Sequence, residues 1–357
     1  MTWVFLILVI ILIIYFEKNW ASMKMCQLRF MTEPEAIMSE KDENIVLTSS
    51  LANISKLPVS FVTVSENLPD KAELIGSEYY VKEHLMQVGD KRFVRSNYAL
   101  GSLKKVTREE KFRVNKRGVY RYGDYSIYTG DFFGLRNLQV DGYVPKHVAV
   151  LPSKVTSRDL SEVVGGFIGD ISVRRFIMED PILTVGFNEY TGREPLRDIS
   201  WKRTAIQGKL MVNKYDYTSE PRAMILLNIE GGNEAEIERC FELVRMAVEM
   251  LEEKKIPYGF RTNGMLFSPE GSISYLPPGV GKQHYKSIMY GLAGASCGCW
   301  YSFDTLVRTA FKNRGVNEHY LLVTVPTDDK ATAIIKDLSR KTGAALGVLV
   351  GKEENDV

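Results

Sequence analysis

Apolar and polar positions divide the chain into three stretches with different grammars. Residues 3–16 read WVFLILVIILIIYF, an unbroken apolar run without charge, glycine or proline. From about 28 to 152, short alternating runs are separated by turn residues: NIVLTSSLANIS, LPVSFVTVSENLPD and KRFVRSNYALGSLKKVT. In the second run Val59, Phe61 and Thr63 share one face, while Ser60, Val62 and Val64 share the other. Side chains alternate along a strand, so both faces of this one carry apolar groups. Repeated short strands with turns such as Asn67-Leu68-Pro69-Asp70 predict an antiparallel β-sandwich.

From about residue 222 the period changes. RAMILLNIE is a continuous apolar run, the pattern of a strand buried on both faces. Ile237, Cys240, Phe241, Val244, Val248 and Leu251 then fall on one helical face, with Glu238, Arg239, Glu242, Arg245 and Glu249 on the other. Pro257 ends that helix. Further helices are predicted over 282–295, 303–312 and 331–343, buried strands in HYLLVTV and AALGVLV, and a hairpin in GMLFSPEGSISYLPPG. Strands alternating with helices predict a largely parallel, three-layer α/β domain.

The first apolar run covers only about 21 Å as a helix at ~1.5 Å per residue, against a hydrocarbon core of ~30 Å. Trp3, Tyr15 and Trp20 suit membrane interfaces and Lys18 can snorkel, which extends the predicted span to residues 1–25. A secretory signal is the alternative. It wants an initial basic residue and a small-x-small cleavage site, and neither Met1-Thr2 nor Trp20-Ala21-Ser22 supplies one. Lys18, Lys24 and Arg29 all follow the run, which places the body in the cytoplasm by the positive-inside rule. The predicted organisation is a single-pass cell-membrane anchor at 1–25, a β-sandwich at 26–152, a connecting segment at 153–221 and an α/β domain at 222–357.

Composition adds exclusions. The 357 residues carry 46 Lys+Arg against 44 Asp+Glu, so bulk charge offers nucleic acid no attraction. A chain 45% hydrophobic and 25% charged is not a disordered one. Cys26, Cys240, Cys297 and Cys299 show no disulfide-framework spacing.

Two segments are more specific. RGVYRYGDYSIYTGDFFGLR supplies Arg117, Gly118, Tyr120, Asp131, Phe133, Gly134 and Leu135, followed by Pro152. YTGREPLRDISWKRTAIQGKLMVNKYD supplies Tyr190, Arg197, Ile199, Trp201 and Ala205. Together, in this order, they resemble the domain of unknown function 58 family, although Arg193-Glu194 stands where that family usually has Gly-Asp. The resemblance implies a von Willebrand factor type A-like C-terminal domain, and a MoxR-type AAA+ ATPase as partner in assembling an envelope complex. It also implies an Mg²⁺ motif, Asp-x-Ser-x-Ser, at the end of the first strand of that domain. Here those positions read Asn228-Ile229-Glu230-Gly231-Gly232, which argues against that metal site and against any cofactor. Trp201 has two readings, a core residue beneath a junction or an anchor on a recognition surface with Arg197, Lys202 and Arg203.

Candidate chemistry is sparse. Cys297-Gly298-Cys299 with His284 and His319 has irregular spacing for zinc, and no Cys-protease motif surrounds it. Gly279-Val280-Gly281-Lys282 fails as a phosphate loop, because Leu276 stands at the required glycine and Gln283 replaces Ser/Thr. Glu252-Glu253 reads as a solvated helix end. Open α/β sheets bind at the carboxyl ends of their strands, so Asn228, Glu230, Gly232, Asp328 and Asp329 form the expected partner face. The expected function is a non-enzymatic, membrane-anchored interaction protein. The alternatives are a Cys-dependent hydrolase or transglutaminase-like enzyme using Cys297 or Cys299, and a secreted adhesion module.

Overall fold

The computed structural model describes residues 2–25, 27–35, 37–56, 58–89, 91–130, 137–155, 157–174, 180–216, 221–268, 271–313, 317–326, 333, 340 and 344–351. The chain forms two compact units, Met1–Ser153 and Lys154–Val357. The first begins with helix α1 (Thr2–Met25), then β1 (Leu28–Pro34), β2 (Met38–Ser39), β3 (Asn44–Asn53), β4 (Val59–Asn67) and β5 (Glu73–Ile75). It continues through α2 (Glu78–His84), β6 (Leu85–Val88), β7 (Lys91–Leu100), β8 (Lys105–Arg113), β9 (Gly118–Gly130) and β10 (Asn137–Val150).

Two sheets result, ordered β1-β3-β8-β5 and β2-β10-β9-β4-β7-β6. All pairings are antiparallel except the short β2–β10 pair. Alternation drives their packing: in β3, Ile45, Leu47, Ser49 and Leu51 are buried while Val46, Thr48 and Ser50 are half-exposed. Ile45, Leu47 and Phe112 of one sheet meet Val94, Tyr122, Val148 and Val150 of the other in a single core. At about 1.5–3 kcal/mol per fully buried large side chain, this layer holds the sheets together.

Gly123 has φ +109 and lies opposite the bulge between Tyr143 and Lys146. A Cβ there would sit 1.9 Å from the Val144 carbonyl oxygen, so both the backbone angle and the space require glycine. Gly118 is explained differently: the Tyr120 ring folds over it, and the Tyr120 hydroxyl donates to the Lys116 carbonyl at 2.8 Å.

A polar seam runs through the same interior. Ser49 Oγ donates to Glu66 Oε2 at 2.6 Å and lies 3.2 Å from Thr32 Oγ1. Arg108 pairs with Glu110 and donates to Ser96 and Tyr80, while the Tyr80 hydroxyl donates to Glu110 at 2.8 Å. Glu66 is buried, and its Oε1 has no hydrogen-bond partner among the described residues. Burial pushes the Glu66 carboxyl above its ordinary value of 4.5. Hydrogen bonds from Ser49 and Thr32 oppose the shift, the Glu110 charge adds to it, and Arg108 opposes it.

The second unit opens with α3 (Arg158–Arg174), β11 (Asp180–Glu189), a single 3-10 turn at Leu196–Asp198, α4 (Trp201–Gln207) and β12 (Met211–Asp216). After these come β13 (Arg222–Asn228), α5 (Glu234–Glu253), β14 (Tyr258–Ser268) and β15 (Gly271–Gly279). The last elements are α6 (Lys282–Ala293), α7 (Phe303–Lys312), β16 (Glu318–Thr324) and β17 (Leu346–Val350). β11 and β12 make a two-stranded sheet, and a five-stranded sheet is ordered β15-β14-β13-β16-β17. Its strands are parallel except β15, which returns antiparallel along β14. Every β13 residue after Arg222 is buried. Met224 and Leu226 pack on α7 through Leu306, Val307 and Ala310. Ala223, Ile225 and Leu227 point to the opposite face, where α3 and α5 lie. The start of α5 is fixed by a capping box between Asn233 and Glu236. The helix predicted over 331–343 lies largely outside the described residues.

The fold class expected from the sequence needs correction. Among the described residues no helix is long and apolar enough to cross a membrane. The reason is length: the apolar run of α1 stops at Phe16, and Glu17-Lys18 follow directly in the sequence. The single-pass anchor at 1–25 and the cell-membrane localisation built on it are therefore withdrawn. In place of a membrane helix followed by a von Willebrand factor type A-like domain, the chain is a mixed α/β protein with β-rich sheets, two of which face each other across the core of the first unit. The segment 153–221, expected to be a connector, contains α3, β11, α4 and β12 and belongs to the second unit.

Two outcomes follow for the first unit. Gly123→Ala should destabilise it by about 3 kcal/mol in urea unfolding, from strain and overlap combined. A buried acid with a raised pKa favours the fold in its protonated form. Stability is then greatest below 4.5 and falls as pH rises, until the folded carboxyl ionises. Glu66→Gln should match the unmodified chain in acid and gain on it above pH 4.5, by at most about 1.4 kcal/mol per pH unit, in melts across pH.

Candidate functional site

The carboxyl end of the five-stranded sheet is built on a buried amide network. Register aligns Asn228 with Thr324 and Leu227 with Thr262, so β13 and β16 end together where β14, which continues to Ser268, turns polar. Asn263 Nδ2 donates to Asn228 Oδ1 at 2.7 Å, and Asn228 Nδ2 donates to Thr324 Oγ1 at 2.9 Å. The Glu230 backbone N–H donates to Asn228 Oδ1 at 3.1 Å, and that of Ile229 to Asn263 Oδ1 at 3.0 Å. Asn228 and Asn263 are 0% exposed. Buried amides are tolerated because each is satisfied, and the satisfied set fixes how the chain leaves β13.

Above this network the surface is formed by the turn after β13 and the loop before α7. Gly231 takes φ +78, and a Cβ on Gly232 would fall 2.5 Å from Val325 Cγ1. Glu230 Oε2 accepts from the Phe303 backbone N–H at 2.6 Å, placing a carboxylate on the first turn of α7. The loop is pinned to β14: Ser296 N–H donates to Met265 O at 3.2 Å and Trp300 N–H to Asn263 O at 2.8 Å. Tyr301 donates to the Thr262 carbonyl beneath it. The Trp300 side chain is nevertheless 67% exposed, and Cys297 and Cys299 are exposed with it. Cys299 Sγ donates to Tyr301 O at 3.1 Å. Partial burial pushes the Cys299 thiol up, the Tyr301 contact opposes this, and the Glu230 charge adds to it.

The sequence-predicted residues are dispersed by the fold. Glu230 and Gly232 lie on the carboxyl-end surface, whereas Asn228 is inside and supports that face without presenting it. Asp328 and Asp329 lie outside the described residues, as do Asp131 and Gly134. Arg117, Gly118 and Tyr120 stand at the start of β9, half-buried, in the first unit. Tyr190, Arg197 and Trp201 flank α4, and Trp201 is 69% exposed, which favours the surface reading over the core one. His284 Nε2 is 2.7 Å from Tyr258 O, and buried His319 accepts the Ala345 N–H through Nδ1 at 3.0 Å. Among the described residues no three His, Cys, Asp or Glu side chains gather as a metal-ligand group. Asn228 Oδ1 and Glu230 Oε2 accept from internal N–H donors.

Two residues escaped sequence reasoning. Trp300 was unremarked, although an aromatic beside Cys297-Gly298-Cys299 in a short interhelical stretch is a usable signal. Glu252, expected to be solvated, accepts from Tyr258 Oη at 2.8 Å and from the Gly281 N–H at 3.1 Å. It therefore ties the end of α5 to the start of α6.

No family model matches the chain, and no curated protein does. Among solved structures it is similar to the CARDB domain of a Pyrococcus furiosus protein, with 10% identity and TM-score 0.21, over 34% of this chain and 91% of that one. It is also similar to a non-cellulosomal cohesin from Archaeoglobus fulgidus, with 14% identity and TM-score 0.23, over 38% and 96%. A GH20 exo-β-N-acetylglucosaminidase from Vibrio harveyi gives 12% identity and TM-score 0.23, over 88% and 59%. At these TM-scores the likenesses carry no argument about this chain.

Asn228→Asp should destabilise the second unit by about 3 kcal/mol at pH 7, because it buries a carboxylate and removes the donor to Thr324. Thermal melting should show part of that loss recovered in acid, where the new carboxyl is neutral.

Proposed function

We propose that this chain is a non-enzymatic interaction protein whose second unit offers the carboxyl-end surface of its sheet to a protein partner. The observation that carries the reading is Trp300, a large side chain held out in solvent on a loop anchored by main-chain hydrogen bonds. Tryptophan supplies much contact area with little side-chain entropy to lose, and it is enriched among residues that dominate binding energy. The anchored loop lowers the cost further, since its backbone is already ordered before a partner arrives. Glu230 sets charge beside it. The resemblance to the domain of unknown function 58 family supports a MoxR-type AAA+ ATPase as the partner, in assembly of an envelope complex.

The test is co-purification of the full chain with such an ATPase, followed by titration of the purified pair. Trp300→Ala should weaken binding by about 2 kcal/mol or more, roughly thirtyfold, and Glu230→Ala by less. Equal affinity for all three proteins, or no complex at all, would remove this reading.

A further inference from the structure

The β11–β12 excursion carries a second exposed surface that the carboxyl-end face does not use. Its small core is Ile199, Met211 and Val212. Glu194 closes the turn after β11 by accepting from Thr191 N–H at 3.0 Å and Thr191 Oγ1 at 2.8 Å. Leu196, Trp201, Ile206 and Leu210 lie within fifteen residues, and all four are exposed. Helix α4 is seven residues long and has no buried residue. It is held at its C-terminus by Gly208, in the left-handed region, and by Thr204 Oγ1 accepting the Met211 N–H at 3.0 Å. Isolated helices shorter than about 12–15 residues are marginal in water, and most helical stability comes from packing an apolar face. α4 instead leaves both Trp201 and Ile206 in solvent.

Charge identifies what covers it. From residue 189 to residue 210 there are five Lys/Arg (193, 197, 202, 203, 209) and three Asp/Glu (189, 194, 198), a net of +2. Arg197 lies 3.8 Å from Asp198, Lys209 lies 3.2 Å from Glu189, and Arg203 stacks over Phe187 at 4.7 Å. Among the described residues the Arg193 and Lys202 side chains have no carboxylate partner, although the Arg193 backbone N–H donates to Glu194 at 3.3 Å. A second copy of the chain meeting this patch in a two-fold contact would set +2 against +2, which is repulsive. An anionic lipid surface would repel Glu194 and Asp198 within the patch, whereas a protein surface can place groups individually.

We infer that the α4 excursion docks an acidic protein surface that accepts Trp201 in an apolar pocket and offers carboxylates to Arg193 and Lys202. Exposed tryptophan and arginine are the residue types that anchor such contacts. The surface is independent of Trp300, so a variant at one position does not disturb the other.

The probe is a fluorescein-labelled glutamate–tyrosine copolymer, an acidic chain with aromatic anchors, titrated into the full-length protein by anisotropy. Trp201→Ala and the double variant Arg193→Glu/Lys202→Glu should each weaken binding at least about tenfold, with Trp300→Ala unchanged. Raising salt to about 0.5 M should weaken the unmodified chain and leave the double variant little affected. Both sets of changes lie on exposed side chains, and unchanged thermal melts will show that the fold is retained. The inference is overturned if the unmodified chain does not bind the copolymer, or if Trp201→Ala binds it equally. It is also overturned if phosphatidylcholine–phosphatidylglycerol vesicles bind as tightly with the same dependence on Trp201, or if Trp201→Ala abolishes self-association.

Discussion

The amide network of Asn228, Asn263 and Thr324 is the constraint on which the second unit turns. β13 and β16 end at one level, β14 turns polar beside them at Thr262-Asn263, and these polar groups satisfy one another. A neutral hydrogen bond adds only about 1 kcal/mol net, but leaving one buried group unpaired costs about 1–3 kcal/mol. The network therefore acts chiefly as a register lock. A slipped strand would orphan several amides at once. The exit of β13, the carboxylate on α7 and the loop bearing Trp300 all take their positions from it.

The first unit meets a related problem with a different outcome. Its interior seam also places polar groups between packed layers, yet one carboxylate oxygen of Glu66 stays unpartnered among the described residues. The amide network holds no titratable group and is indifferent to pH over the ordinary range. The buried Glu66 carboxyl makes the seam sensitive to it. The two units thus share one chain and differ in how acidity reaches their stability.

Legibility in the sequence followed burial. The strands β13 and β16 and the helices α5 and α7 could be read because each buries a continuous run or a full helical stripe. Helix α3 was missed although Val164, Phe167, Ile168 and Ile171 are buried at helical spacing, because Gly165, Gly166 and Gly169 interrupt it with poor helix formers. No period marks α4, since it buries nothing. Trp201 shows the limit of composition, which favours a buried tryptophan unless structure says otherwise. Asn228 shows the converse: a polar residue at a strand end reads as surface, and only its register with Thr324 and Asn263 reveals that it is interior. Helix α1 reads as a span from its apolar content, but its apolar run stops at Phe16, before Glu17-Lys18.

The contact between Glu252 and the Gly281 N–H has a consequence for ligands. The start of a helix attracts anions, and here the chain supplies one from its own α5. A tethered carboxylate acts at an effective concentration in the millimolar range or above, without entering from solution. A free phosphate group competing for α6 would face that standing occupant, and would also bring its charge up against it. The stretch that fails as a phosphate loop is thus a helix start whose first N–H is already bonded within the chain.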